Sequence, residues 1–130
     1  MRAIVRAAII ADPTLAGLGV VSAGVLAGDV DTPQQRPFLN LRWGTTLPGL
    51  DIVSRRTLVI WVHDEPNDYS ARVDSILVQL RTVLASLVGQ DNGTGHVVGV
   101  EWTGDSDDLV DDGHGTITRT ASFLLVGSGQ

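Results

Sequence analysis

The chain has no cysteine and no lysine. The first absence removes disulfides, thiolate nucleophiles and cysteine-ligated zinc or iron–sulfur centres together. The second means that every cation is an arginine. Codon bias in a GC-rich genome accounts for this, and selection for bidentate ion pairs at interfaces is the alternative, since arginine makes them better than lysine. Long apolar runs are also missing: nothing approaches the roughly 20 residues that a membrane-spanning helix needs. The apolar N-terminal stretch is interrupted by Arg6 and Asp12, so the expectation is a non-secreted chain without a signal peptide.

What remains is a composition fit for folding. At 130 residues and 43% hydrophobic content, the chain is expected to form one domain over residues 1–130, with a core of its own. The formal charge is −6 and the pI about 4.7, which argues against nonspecific binding to nucleic-acid phosphates. Six carboxylates and no cation fall between Glu101 and Asp112.

Along the chain, Ile4, Val5, Ala8 and Ile9 give residues 1–12 one apolar helical face, ended by Asp12-Pro13. Leu18–Val30 reads as a loop followed by an irregular strand. Phe38–Trp43 alternates as a half-buried strand. Arg55–His63 is apolar on both faces and reads as a central strand covered on both sides. Pro66-Asn67-Asp68 supplies a turn and a helix cap. From Tyr69 to Val88, the residues Val73, Ile76, Leu77, Leu80, Val83, Leu84 and Leu87 form one stripe, and Gly89 stops the helix. His96–Thr103 and Thr116–Val126 are two further strands, with a frayed tail after them. The expected fold class is therefore α+β, a single mostly antiparallel or mixed sheet with two helices packed on it, in the order α-β-β-β-α-β-β.

Chemical motifs are weak. Counting an EF-hand loop from Asp105 puts Leu109 fifth and Val110 sixth, where an oxygen ligand and a glycine are required. The acidic segment then reads as a solvated loop, with a weak divalent site between subunits as the alternative. His63, His96 and His114 lack zinc-ligand spacing, and neither a GxSxG nor a GxxxxGK[ST] run occurs. His63-Asp64-Glu65 admits acid–base or metal chemistry, but it also reads as charge marking where a strand leaves the core. The three tryptophans, Trp43, Trp61 and Trp102, each fall in a separate strand and read as sheet and core residues, with an interface anchor among them as the other use.

Three runs, RPFLNLRWG, RRTLVIWVHDEPNDYSARVDSILVQLRTVL and EWTGDSDDLVDDGHGTITRTASFLLVG, fix an order and spacing. Arg36-Pro37-Phe38 opens a strand, and Trp61-Val62-His63-Asp64 closes one. Asp68-Tyr69 leads into a helix carrying Asp74 and Ile76, and a GDSxDLxDDG loop precedes Arg119 and Phe123. From Arg36 onward the chain resembles the tail terminator proteins of long-tailed bacteriophages of actinobacteria.

That resemblance implies a virion structural protein rather than an enzyme, with no cofactor. It would form a ring, commonly of six subunits, that caps the tail tube, ends tube polymerisation and joins the head-completion proteins. It would be made in the host bacterial cytoplasm and reside at the head–tail junction. Its partners would be its own copies, the major tail tube protein and a head-completion or connector protein. DNA would only pass through the lumen, and no membrane is involved. The expected ring, partner-contact or lumen residues are Arg36, Arg55 and Arg56, pairing with a neighbour's carboxylates, and Asp105, Asp107, Asp108, Asp111 and Asp112, facing the lumen or the tube. The alternatives are a head-closure or neck protein, or a small metal-dependent hydrolase using His63, Asp64 and the acidic loop.

Overall fold

The computed structural model describes residues 1–27, 37–48, 54–65, 71–93, 95–106, 109–111 and 116–128, with backbone alone at 27, 45–48, 109–111 and 116. Among the described residues three α-helices, α1 (Arg2–Ala11), α2 (Pro13–Gly17) and α3 (Ala71–Ala85), and a short 3-10 helix, Ser22–Gly24, lie with six strands. The strands are β1 (Val25–Ala27), β2 (Phe38–Pro48), β3 (Ser54–Asp64), β4 (His96–Asp105), β5 (Leu109–Asp111) and β6 (Thr116–Ser128). They form one mixed sheet in the order β1-β2-β3-β6-β4, with β5 also paired to β6. Only β1 and β2 run parallel; the other pairings are antiparallel.

The α+β class and the packing of α1 and α3 on a sheet agree with the sequence reading. The core forms where side chains from adjacent strands meet on one face. Leu39 faces Val62 and Leu41 faces Ile60, while Leu58 faces Phe123 and Ile60 faces Ala121. All are buried. Onto them α3 lays its stripe, and Val73, Ile76, Leu77, Leu80, Val83, Leu84 and Leu87 are buried as the period requires. Ile4, Val5 and Ile9 of α1 complete the cluster. Helix α3 ends at Ala85, three residues short of the expected Val88, and turns lead on to Gly89, which takes φ +90° and whose N–H donates to the Val97 carbonyl at 2.8 Å, leading the chain back towards β4.

Asp12-Pro13 ends one helix and also starts another. The Asp12 carboxylate accepts from the Leu15 N–H at 2.9 Å, with Pro13 in the first turn of α2. Gln79 of α3 donates to the same carboxylate at 3.2 and 3.3 Å. Asp12→Ala is expected to lower stability by about 1 kcal/mol, the usual value of an N-cap. A urea melt checks this, and an unchanged midpoint would contradict it.

Four expectations need correcting. β3 is covered along the whole of one face but only at the His63 end of the other: Leu58, Ile60 and Val62 are buried, and so is His63, whereas Arg55 and Thr57 are exposed and Val59 and Trp61 are half-buried. Apolar residues on both faces of a strand signal two contacts, but not that both are made within one chain. The tail is not frayed through Ser128, since Gly127 pairs with Ser54 and Val97, and Ser128 with His96. The acidic stretch is no simple loop, because Leu109–Asp111 pairs with β6. The tryptophans are not core: Trp43 and Trp61 are half-buried, and Trp102 is 45% exposed. The expected helix start at Tyr69, with the Asn67 or Asp68 cap, lies outside the described residues.

Candidate assembly surface

Neighbouring residues of a strand point to opposite faces, and this decides the role of the His63-Asp64 pair. His63 turns to the outer face. Its ring stacks on Phe38 with centroids 4.3 Å apart and planes 7° off parallel, and Nδ1 lies 3.2 Å from Thr118 Oγ1. Asp64 turns to the helix side and is 1% exposed. Its carboxylate accepts from Arg72 Nε at 2.6 Å, from a second Arg72 nitrogen, and from the Glu65 N–H at 2.8 Å. The two side chains therefore diverge. Among the described residues no three His, Asp or Glu side chains gather as a metal-holding group.

Two more ion pairs tie α3 to the sheet. Asp74 pairs with Arg119 of β6, and Arg81 pairs with Asp105 of β4. Trp102 joins the second pair: its indole N–H donates to Asp105 at 2.9 Å, and the Arg81 guanidinium lies 4.0 Å from its ring centroid. Ser106 pins the end of β4, accepting from Arg119 Nε at 3.2 Å and from the Thr120 N–H at 2.9 Å. Asp105, expected at a ring, partner or lumen surface, is thus engaged within the fold. Asp111 is placed in β5 by its backbone. Arg36, Asp107, Asp108 and Asp112 lie outside the described residues.

The face of the sheet away from the helices is incompletely covered away from its His63 end. Val59 and Trp61 of β3 and Ser122, Leu124 and Val126 of β6 are half-buried there, with the Arg42 guanidinium 5.3 Å from the Trp61 ring. One sheet edge, β1, has three residues. The other, β4, shifts register between Val97 and Gly99 and between Trp102 and Gly104. Short and bulged edges resist indiscriminate strand addition, so the faces and ends of the sheet are better suited than its edges to specific contacts.

At one end of the sheet sits a cationic corner. Arg2, at the start of α1, and Arg56 of β3 lie 6.0 and 5.3 Å from the Trp43 ring. The N-terminal amine donates to the Ser128 carbonyl at 3.4 Å. Burial lowers the pKa of this amine below its ordinary value, with Arg56 and then Arg2 adding repulsion. Arg56 is likewise lowered, by burial first and Arg2 second. One Arg56 nitrogen donates to the Gly44 carbonyl at 3.4 Å, while its buried Nε has no hydrogen-bond partner. Gly44 also lies against Thr57 of β3, since a Cβ there would be 2.0 Å from Thr57 Oγ1.

Arg55 and Arg56, adjacent in the sequence, are separated by the strand. Arg55 is exposed on the outer face and Arg56 faces the helices. Arg2 escapes the sequence reading because helical spacing pairs it with Arg6, whereas Arg6 donates elsewhere, to the Ser22 carbonyl at 3.3 Å. No sequence period could link the first turn of α1 to the start of β3.

No protein-family model matches the chain, and no curated protein matches it. Among solved structures, it is similar in fold to a chain of the virion of a native gene transfer agent particle. The TM-score is 0.71 at 17% identity, covering 99% of this chain and 95% of that one. A second solved chain, which bears no functional name, gives a TM-score of 0.58 at 16% identity, covering 100% of this chain and 96% of that one. At these identities the likeness is one of fold, and the fold shared from end to end is that of a chain from a virion particle.

Proposed function

We propose that this chain is a virion structural protein of the tail-terminator type, one domain over residues 1–130, and not an enzyme. Its copies close into a ring, six being the expected number. The ring caps the tail tube, ends its polymerisation and joins the tail to a head-completion protein at the head–tail junction. The observation that carries this reading is the end-to-end likeness in fold to a chain of a virion particle. The half-covered outer sheet face supports it, since Trp61, Val59, Leu124 and Val126 offer apolar area that a neighbouring molecule would bury. Arg36, Arg55 and Arg56 and the acidic segment from Asp105 to Asp112 remain the proposed contact or lumen positions.

A ring of one kind of subunit needs two different surfaces on each copy that fit one another at a fixed rotation. Native mass spectrometry and electron microscopy of the purified protein, alone and with tube protein, test the reading. The expected result is a closed ring, or tubes stopped at one end by such a ring. A protein that stays monomeric and leaves tube length unchanged would overturn it.

A further inference from the structure

Exposed large apolar side chains are few among the described residues, and they fall on the two flanks of the sheet. Val78 lies on α3, Val88 in the turn after it, and Val98 and Trp102 on β4. Val21 stands immediately before the 3-10 turn that leads into β1. Each of the five is about half exposed. Because β1 and β4 are the opposite ends of the strand order, the first four mark one flank and Val21 marks the other.

The β4 flank is organised as a surface for another molecule. Val78, Arg81 and Ala85 stand at i, i+3 and i+7 and share one side of α3. Arg72, Asp74 and Arg81 are the charged residues of this helix, and all three are paired with the sheet. Its other exposed residues, Ala71, Ser75, Val78, Thr82 and Ala85, carry no charge, whereas a helix face left to water ordinarily does. Trp102 is fixed beside them, with Arg81 stacked on its ring and its indole N–H donating to Asp105. The one polar atom of the ring is thus satisfied, so a partner can cover the free part of the ring without stranding a donor. A held aromatic ring of this kind is what an interface hot spot requires.

We propose that the β4 flank of one copy, around Trp102 and Val78, is covered by the β1 flank of a second copy, around Val21 and Arg6, edge to edge. This rests on the ring reading above and names the two surfaces that meet. The flanks correspond in height along the strands. Val25, Leu39, Val62 and Arg119 form one row across the sheet. Val21 precedes Val25 by one short turn at one flank, and Asp74, a turn before Val78, is paired with Arg119 towards the other. They also correspond in charge. Arg6 is exposed, and its guanidinium donates to the Ser22 carbonyl beside Val21. Glu101 is exposed on β4 and forms no ion pair with a described residue. The two flanks differ, so the contact is heterologous and repeats in one direction until the rotation closes a ring. Side chains of α3 and β4 make it, so the bulges that guard the β4 edge against strand addition do not oppose it.

The chain has no cysteine, so introduced cysteines report the contact without background. Treated with a short bis-maleimide, Val21→Cys/Val78→Cys should cross-link into a ladder that ends at the ring. Val21→Cys alone and Val78→Cys alone should give no cross-link, and their equimolar mixture should stop at dimers holding one of each. Trp102→Ala, checked for folding by circular dichroism, should raise the concentration needed for assembly by at least about tenfold in native mass spectrometry. Val78→Arg, at an exposed helical position where the fold tolerates arginine, should do the same. Cross-linked dimers of either single-cysteine variant alone, or rings in which positions 21 and 78 do not cross-link, would overturn the pairing while leaving the ring reading intact. Folded Trp102→Ala and Val78→Arg variants that assemble like the wild type would do likewise, including the case in which they lose only the capture of tube protein. A wild type that forms no ring with or without tube protein would remove both.

Discussion

Arg72→Ala is expected to cost about 3–5 kcal/mol, a large share of the stability of a domain this size. The reason is the imbalance of exposure within the pair. The Asp64 side chain is 2% exposed and the Arg72 side chain 34%, so removing the arginine strands a carboxylate that water cannot reach. The Glu65 N–H remains as a donor, but one neutral donor does not replace a guanidinium making two bonds. The control is Arg119→Ala. Its partner Asp74 is 54% exposed and can turn to water, so loss of that pair alone should cost no more than about 1 kcal/mol. Urea unfolding of both variants provides the measurement. Equal losses would mean that Asp64 is not buried as the structure has it.

The second large effect is expected at Gly127. A Cβ built there would lie 2.1 Å from the His96 carbonyl oxygen and 2.8 Å from the Met1 sulfur. Met1 can swing aside, whereas the carbonyl belongs to the paired strand β4 and cannot move alone. Gly127→Ala must therefore part β4 from β6 at their joined ends, where Val97 faces Gly127. A cost of at least about 3 kcal/mol is expected, at the upper end for overpacking in a closely packed site. Hydrogen exchange would locate the damage: amides of His96–Gly99 should lose protection first. A variant as stable as the wild type would contradict the close approach of these strands.

How much of the fold is legible in the sequence depends on the range of the interaction concerned. The α3 stripe is legible because seven apolar residues at helical spacing line up on one side of a helix and would scatter over both faces of a strand. β3 is legible as a central strand from Leu58, Val59, Ile60, Trp61 and Val62. Its neighbours are not, because β6 enters between β3 and β4 and nothing in either strand's own sequence announces that crossover. The parallel β1 is three residues long, too short for a period. α2 is hidden by Pro13, which reads equally well as the end of one helix and the first turn of the next.

The candidate surface divides in the same way. Arg56 stands out in the sequence as a contact residue, and it lies at the cationic corner. Its companions Arg2 and Trp43 come from α1 and β2, and only the packed structure joins them. Asp105 carries the acidic signature that suggests a free surface, yet Arg81, nearly three turns into α3, has no local mark as its partner. The outer sheet face shows as apolar in the alternation of β3, and what cannot be read is that the chain leaves it half open.

The position of β6 has a consequence for the order of events in making the protein. Ser54 waits for Gly127, and Asp64 for Ile117, while β4 and β5 have no other strand to join within the described sheet. Pairings of such long sequence separation form late and slowly. The β1–β2–β3 portion can pair beforehand, but β4 and β5 gain their place in the sheet only when β6 has inserted. A chain that has not yet made β6 therefore holds β4 and β5 without a strand to pair with, so the core face of the sheet is completed only by the last of the described strands.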